Sequence, residues 1–273
     1  MADINYAEKY SDIIDERFNI GSQTDIAVNQ QYEFEGVNKV NVYSTDTVPL
    51  NDYDLTAVTN RYGTPVELGN EVQELLLTQD KSFTFTIDRR NFDDTMMANS
   101  AGKALRRQID EVMIPTIDKY RLSIMIANTG TEIEQTITTD NAYSSFLDAS
   151  VILVNNKVPA AGRIVYVSPD YYKLIKLDKL FTSYGDKAHE LAQKGVVGAI
   201  DNALVVLVPE DYLPGLNFLI THPVATTAPI KLAEYKQHDK PQGISGWLVE
   251  GRVYYDAFVL NNKKMAIYVS KKA

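Results

Sequence analysis

Histidine is the side chain most often used for acid–base chemistry and metal binding, and the three histidines of this sequence are scattered. His189 and Glu190 begin a pattern typical of zinc proteases, but the second His that would complete the metal site is missing. His222 and His238 have no such pattern around them. Zero Cys excludes disulfides, thiolate metal sites and a Cys nucleophile. We therefore predict no metal and no cofactor.

Other candidates for catalysis are better explained by local structure. Ser168 does not lie in a Gly-x-Ser-x-Gly pattern, and because Pro169 follows it, a helix N-cap is favoured. Asp93 and Asp94 are neighbours on a predicted helix, where adjacent side chains point apart. The segment 195–198 lacks the Lys and the spacing of a phosphate-binding loop. We predict no catalytic residue and no enzyme.

Composition indicates an ordinary globular protein of 273 residues, with 45% hydrophobic and 23% charged residues. The net charge of −9 argues against a surface whose main task is to neutralise nucleic-acid phosphates. The first residues show no basic region followed by an apolar run, and no apolar stretch reaches the roughly 18 residues of a membrane span. We expect a soluble protein made in a reducing cytoplasm.

Residues 1–36 are acidic and contain one short helical pattern, which includes Tyr6 and Tyr10. Such a segment is either a disordered tail or an arm that orders on a partner. Residues 37–88 are predicted to be extended, with flanking strands at Val37–Tyr43 and Ser82–Ile87. We interpret them as a protruding two-stranded arm. Legs of about twenty residues would reach ~65 Å, so the arm must lie on another subunit.

A helical pattern follows Asn91, which is a plausible N-cap. The pattern predicts a helix of roughly 25–35 residues that Pro115 breaks or kinks. It carries basic residues at positions 103, 106 and 107. From residue 149 onward, strands alternate with short helices, which predicts a mixed α+β fold. Asp201 and Asn202 form a predicted hairpin turn. A second hairpin is predicted between Trp247–Leu260 and Met265–Val269.

The order of these segments resembles the major capsid proteins of tailed double-stranded-DNA bacteriophages, which share the HK-ninety-seven-like capsid fold. The resemblance covers essentially the whole chain, and no single motif in it is strong. The residues that carry it lie at Phe83–Thr95, Arg163–Tyr172, Gly198–Asp201 and Glu250–Val269.

The resemblance implies five segments. They are an N-terminal arm (1–36), an extended loop or long β-hairpin (37–88), a peripheral domain with the spine helix (89–149), an axial domain (150–241) and a C-terminal hairpin that returns to the peripheral domain (242–273). It also implies a virion protein that self-assembles into pentamers and hexamers of an icosahedral shell around double-stranded DNA. Assembly would take place in the bacterial host cytoplasm.

The sequence departs from some members of this family in two respects. Those members link subunits through a Lys of the extended loop, but Val40 to Asp80 contains no Lys. Others begin with a long assembly segment, for which residues 1–36 leave no room. We therefore expect a separate scaffolding protein and non-covalent overlap of arms and loops, or a decoration protein that cements the shell. A portal protein is a further expected partner, and no membrane is expected.

Seventeen tyrosines suggest interfaces, where Tyr is enriched. Tyr43, Tyr53 and Tyr62 lie on the predicted hairpin and cannot be core residues if it protrudes. Basic side chains near the helix either line an inner surface that contacts DNA weakly or pair with the acidic arm of another subunit. The candidate inter-subunit contacts are Tyr6, Tyr10, Tyr43, Tyr53, Arg61, Tyr62, Arg89, Arg90, Arg106 and Arg107.

Two alternatives remain open. The first is an encapsulin-like nanocompartment shell, which would need a pocket for a cargo peptide. The second is a hydrolytic enzyme, which would need scattered Asp and His residues to converge in one pocket. The capsid hypothesis predicts that deletion of Asp46 to Gln79 abolishes assembly and leaves a soluble folded core.

Overall fold

The computed structural model describes residues 21–29, 32, 39–45, 47–90, 101–178, 196–239 and 241–273. Several residues singled out in the sequence lie outside this part of the chain. They are Tyr6, Tyr10, Asn91, Asp93, Asp94 and His189.

The described chain combines helices and strands, which confirms the predicted α+β class. The strands are β1 (Lys39–Thr45), β2 (Asn70–Leu76), β3 (Gln79–Asp88), β4 (Thr131–Gln135), β5 (Ile164–Val167), β6 (Val196–Ile200), β7 (Ala203–Leu207), β8 (Leu216–Thr221), β9 (Thr226–Thr227), β10 (Ile230–Asp239), β11 (Gly246–Tyr255), β12 (Phe258–Val259) and β13 (Tyr268–Lys272). The α-helices are α1 (Ala101–Gln108), α2 (Ile114–Ala127), α3 (Ala142–Asn155) and α4 (Pro169–Leu177).

A six-stranded mixed sheet in the order β4-β13-β8-β5-β7-β6 forms the larger core. Strand β5 is buried on both faces, because Ile164 and Tyr166 point into one cluster while Val165 and Val167 point into another. Helix α2 covers the first face, and α3 and α4 cover the second. Two-sided burial explains why the Ile-Val-Tyr-Val run of β5 is continuously apolar.

Residues 101–127 form one helical segment, which we call the spine helix. A π-helical turn at Ile109–Met113 joins α1 to α2, and Pro115 lies in the first turn of α2. Proline cannot donate a backbone hydrogen bond, and its ring clashes with the carbonyl four residues earlier. The widened π turn accommodates both effects. The helix continues through Pro115, so the predicted break is wrong, and the irregularity beside this residue is a π turn.

The spine helix packs on a three-stranded antiparallel sheet in the order β10-β11-β3. The predicted strand at Ser82–Ile87 exists within β3, but it pairs with β11. The prediction that it forms the second leg of the hairpin is therefore wrong. That leg is β2, which pairs with β1 from Lys39↔Leu76 to Thr45↔Asn70.

The predicted C-terminal hairpin is also wrong in its pairing. Strand β11 lies in the three-stranded sheet, whereas β13 joins the six-stranded sheet between β4 and β8. The chain crosses from one sheet to the other through β12 and a 3₁₀ helix at Asn261–Ala266. Helix α3 spans residue 149, so the predicted division between residues 149 and 150 falls inside a helix.

Two local predictions of the second half are confirmed. The hydroxyl of Ser168 accepts a hydrogen bond from the backbone N–H of Tyr171 (3.3 Å), which caps the N-terminus of α4. Asp201 and Asn202 both have positive φ, at 46° and 63°, and they join β6 to β7 in a tight hairpin turn.

Residues 21–29 belong to the predicted N-terminal arm, yet they pack into the core of their own chain. The buried carboxylate of Asp118 on α2 accepts hydrogen bonds from the Ser22 hydroxyl (2.8 Å), the Gln23 N–H (2.8 Å) and the Thr24 hydroxyl (2.5 Å). Burial raises the pKa of Asp118, although these donors and Arg121 oppose that shift. Residues 22–24 of the arm are therefore anchored to the spine helix.

Candidate subunit interface

The β1–β2 hairpin carries a long loop at its end, residues 46–69, which we call the loop tip. The paired part of the hairpin is seven residues long, so each leg spans about 23 Å at ~3.3 Å per residue. The prediction that each leg contains about twenty residues of strand is wrong. The segment between Thr47 and Gly69 is irregular.

Large apolar side chains are exposed mainly on this hairpin and its loop tip. Eleven of the twenty exposed large apolar side chains in the described residues lie between Tyr43 and Leu76. The three tyrosines singled out in the sequence are among them: Tyr43 is 67% exposed, Tyr53 48% and Tyr62 83%. Exposed apolar area of this density is typical of a surface that another molecule covers.

The loop tip has its own internal structure. The rings of Tyr53 and Tyr62 make an edge-to-face contact with 4.9 Å between centroids. The Asp54 N–H donates to the Arg61 carbonyl (3.0 Å), and the Arg61 guanidinium donates to the Ala57 carbonyl (2.7 Å). The loop therefore presents Tyr53, Arg61 and Tyr62 together, in a defined arrangement.

Two further features stabilise the conformation of the loop tip. The Asp54 carboxylate accepts from the hydroxyl and the backbone N–H of Thr56, and these bonds lower the pKa of Asp54. Gly63 has φ of 89°, and a Cβ atom there would lie 2.4 Å from the Asn51 side chain. Only glycine fits this position without moving Asn51.

The base of the hairpin is fixed to the body of the chain by amides and a small apolar cluster. Gln73 donates to the Val259 carbonyl (2.9 Å) and accepts from the Asn261 N–H (2.8 Å). Leu75 and Leu77 are buried beside Tyr254 and Phe258. One face of the hairpin is thus covered, while the face with Tyr43 and Val72, which are cross-strand partners, is open.

A buried carboxylate, Asp256, connects the hairpin base to the spine helix. It accepts from the N–H (2.7 Å) and the hydroxyl (2.9 Å) of Thr78, which lies between β2 and β3. It also accepts from the Tyr120 hydroxyl (2.6 Å) and the Ala257 N–H (2.8 Å). Burial, together with the Asp256 carboxylate, raises the pKa of Tyr120 to about 12.

The basic candidates other than Arg61 lie outside the loop tip. Arg106 and Arg107 on α1 each form an ion pair within their own helix, with Asp110 (3.6 Å) and Glu111 (2.9 Å). Arg89 and Arg90 follow β3, where the Arg90 N–H donates to the Asp88 carboxylate (2.9 Å). Part of this positive charge is therefore paired inside the chain.

Sequence reasoning missed two features of this interface. The apolar side chains of the loop tip, such as Leu50, Leu55 and Val58, are more exposed than Tyr53, but they follow no helical or strand period. The sequence feature that could have identified them is the number of apolar residues in a segment that has no helical or strand period. Asp256 was missed because its donors come from positions 78, 120 and 257, which no local pattern links.

The described residues contain no group of three or more His, Cys, Asp or Glu that could hold a metal ion. Across the same parts of the chain, no helix is long and apolar enough to cross a membrane. His222 and His238 lie apart, against the Ala161 carbonyl and the Glu250 carboxylate.

A spine helix packed on a three-stranded sheet, an extended loop and a separate six-stranded mixed sheet define the phage major capsid fold. Solved structures of phage proteins confirm this assignment. The chain is similar to a protein of Mycobacterium phage Che8, with 20% identity, a TM-score of 0.75 and coverage of 98% of each chain. It is also similar to the capsid of the cyanophage P-SCSP1u, with 11% identity, a TM-score of 0.76 and coverage of 98% of this chain and 93% of that one.

The mature capsid of bacteriophage PhiM1 gives 12% identity and a TM-score of 0.74, with coverage of 99% of this chain and 93% of that chain. No protein-family model matches the chain, and no curated protein matches it. The chain therefore has the HK-ninety-seven-like fold that the resemblance implied, and the likeness lies in structure much more than in sequence.

Proposed function

We propose that this protein is the major capsid subunit of a bacteriophage head, assembling into pentamers and hexamers of an icosahedral shell around double-stranded DNA. One observation carries the proposal. In a chain with the capsid fold over nearly its full length, the exposed apolar side chains concentrate on the extended loop, which a single subunit leaves uncovered. The apolar side chains of such a loop are removed from water only when a neighbouring subunit covers them.

The proposed contact between subunits consists of Tyr53, Arg61 and Tyr62 on the loop tip and of Tyr43 on the adjoining strand β1. Many copies of a modest contact, closed by symmetry, stabilise a particle without a covalent link. Arg89, Arg90 and Arg106 contribute weak contact to DNA or to the acidic arm of a neighbour. The scaffolding protein, the portal protein and a decoration protein stay predictions, as does assembly in the host cytoplasm.

The structure sharpens the deletion that tests this function. Deletion of Asp46 to Gln79 would also remove β2 and Thr78, which binds Asp256, so it would damage the body of the chain. Residues 46–69 can instead be replaced by Asn-Gly, because Thr45 and Asn70 are direct partners at the end of the ladder. A matched control changes Thr47 and Thr59 to Ser and keeps every apolar side chain of the loop.

We expect the unaltered protein and the Ser control to form closed shells in electron microscopy and sedimentation. The shortened variant should stay small and unfold cooperatively in urea. Shells that enclose nucleic acid when isolated from a phage-producing host would support the capsid function, and shells that enclose protein cargo would favour an encapsulin-like function. A shortened variant that still forms normal shells would contradict the role of the loop.

A further inference from the structure

A groove lies between the spine helix and the three-stranded sheet, beside the π turn. Its volume is about 130 Å³. Most of its lining is apolar or aromatic, and the principal residues are Phe83, Val112, Met113, Ile117, Val253 and Tyr255. Lys81 lies at the same groove, at the start of the segment of β3 that faces the helix.

Two local features create this groove. The π turn at Ile109–Met113 widens the spine helix just before Pro115, so the helix surface is irregular here. On the sheet, the ring of Phe83 lies over Gly251, where a Cβ atom would approach the ring to 2.4 Å. The absence of a side chain at Gly251 lets Phe83 lie flat across β11 and form the wall of the groove.

The groove has the size and chemistry to hold one aromatic ring. An apolar cavity of about 150 Å³ holds a benzene molecule in a protein interior, and this groove is nearly as large. Met113 adds a polarizable sulfur, which favours contact with aromatic rings. Val112 is half exposed, so an incoming ring would cover apolar surface that water now reaches.

The charges at the groove and on the loop tip indicate which aromatic side chain the groove binds. Among the described residues, the Lys81 ammonium has no ion-pair partner, and the same is true of Asp52 and Glu67 on the loop tip. From residue 46 to residue 80 the chain has seven acidic residues and one basic residue, Arg61. An acidic loop with two exposed tyrosine rings is complementary to an apolar groove with a free cation at its edge.

We propose that this groove binds one ring of the Tyr53–Tyr62 pair, from the loop tip of a second copy of the chain. The inference rests on the proposed function, because it names the surface that the extended loop would contact in a neighbouring subunit. Tyr62, which is the more exposed of the two, enters the groove, and Asp52 approaches Lys81.

Cross-linking tests this contact directly, because the chain has no Cys. One variant carries Val58→Cys on the loop tip and a second carries Thr116→Cys on the exposed edge of the groove. The two are mixed, assembled and treated with a short bismaleimide, and the linked peptides are identified by mass spectrometry. The control pairs Val58→Cys with Val224→Cys, an exposed position in the turn after β8.

We expect the 58–116 link to exceed the 58–224 link about tenfold, since docking raises the effective concentration of neighbouring thiols to the millimolar range. Shells that form without an excess of the 58–116 link overturn the inference and leave the proposed function standing. An excess of the link in small oligomers, with no shell, supports the contact and contradicts the shell. If neither shells nor an excess of the 58–116 link is found, the proposed function and the inference are both contradicted.

A second variant gives an independent measurement. Val112→Trp fills the groove from an exposed position, so the chain itself should fold normally. In this background the 58–116 link should fall to the level of the control pair. An unchanged link would show that the loop tip lies elsewhere on the neighbouring copy.

Discussion

At the scale of single residues, the buried carboxylate of Asp256 joins three elements. Its four hydrogen bonds reach Thr78 at the hairpin base, Tyr120 on the spine helix and the N–H of Ala257 after β11. A carboxylate can accept this many donors because each oxygen has two lone pairs. Asp256 therefore acts together with Gln73 and the Leu75–Leu77 cluster to fix the hairpin relative to the spine helix.

We predict that Asp256→Ala lowers the free energy of unfolding by about 3 kcal/mol, because four donors lose their acceptor and the Ala257 N–H among them is buried. Urea unfolding monitored by circular dichroism measures the effect. Asp140→Ala is the matched control, since Asp140 is exposed in a turn and should change the unfolding free energy by less than about 0.5 kcal/mol. Equal stability of the two variants would mean that Asp256 does not hold the hairpin base.

At the scale of elements, the sheet under the spine helix depends on a large residue facing a small one. Gly251 and Phe83 are direct partners in the β11–β3 ladder, and the ring occupies the space that a side chain at 251 would need. Gly251→Ala should destabilise the protein by about 1–3 kcal/mol through overpacking.

The double variant Gly251→Ala with Phe83→Ala tests the cause, because the clash disappears when the ring is removed. In urea unfolding, the Gly251→Ala change should cost clearly less in the Phe83→Ala background than in the unaltered protein. If the two changes are simply additive, the ring does not depend on the space above Gly251.

The same sheet shows what local sequence patterns can and cannot predict. The strict alternation of Ser82–Ile87 identified a strand, and the Ser-Pro-Asp sequence at 168–170 identified a helix start. Both signals lie within a few neighbouring residues. The pairing of β3 with β11 joins segments about 170 residues apart, and no local pattern carries that information. The hairpin and the C-terminal pairing were therefore predicted wrongly, although their strands exist.

The candidate interface follows the same rule. Exposure of Tyr43, Tyr53 and Tyr62 followed from their place on a protruding segment, and the structure confirms that they are exposed. The groove could not be predicted, because it needs the π turn of the spine helix and Phe83 of β3 to meet in space. The complementarity between the loop tip and the groove becomes visible only when two folded copies of the chain are considered together.

At the scale of the whole molecule, buried and partly buried tyrosines make the free energy of unfolding depend on pH in the alkaline range. Burial raises the pKa of Tyr120 and of Tyr212 from 10.0 to about 12, and it also raises the pKa of the fully buried Tyr166 well above 10.0. A pKa that is higher in the folded state than in the unfolded state means that folding favours the protonated form. The contribution is complete below pH 10 and is lost as the pH rises toward about 12.

The free energy of unfolding, measured in urea at several pH values, should therefore be level up to about pH 10 and fall steeply above it. Tyr120→Phe removes one of the titrating groups, so its slope above pH 10 should be smaller. Tyr43→Phe, which changes an exposed ring, is the matched control. The absorbance of ionised tyrosine should show that some tyrosines ionise only well above pH 10, at the pH where the protein unfolds. If all seventeen tyrosines ionise near pH 10 in a protein that stays folded, the buried rings do not contribute this stability.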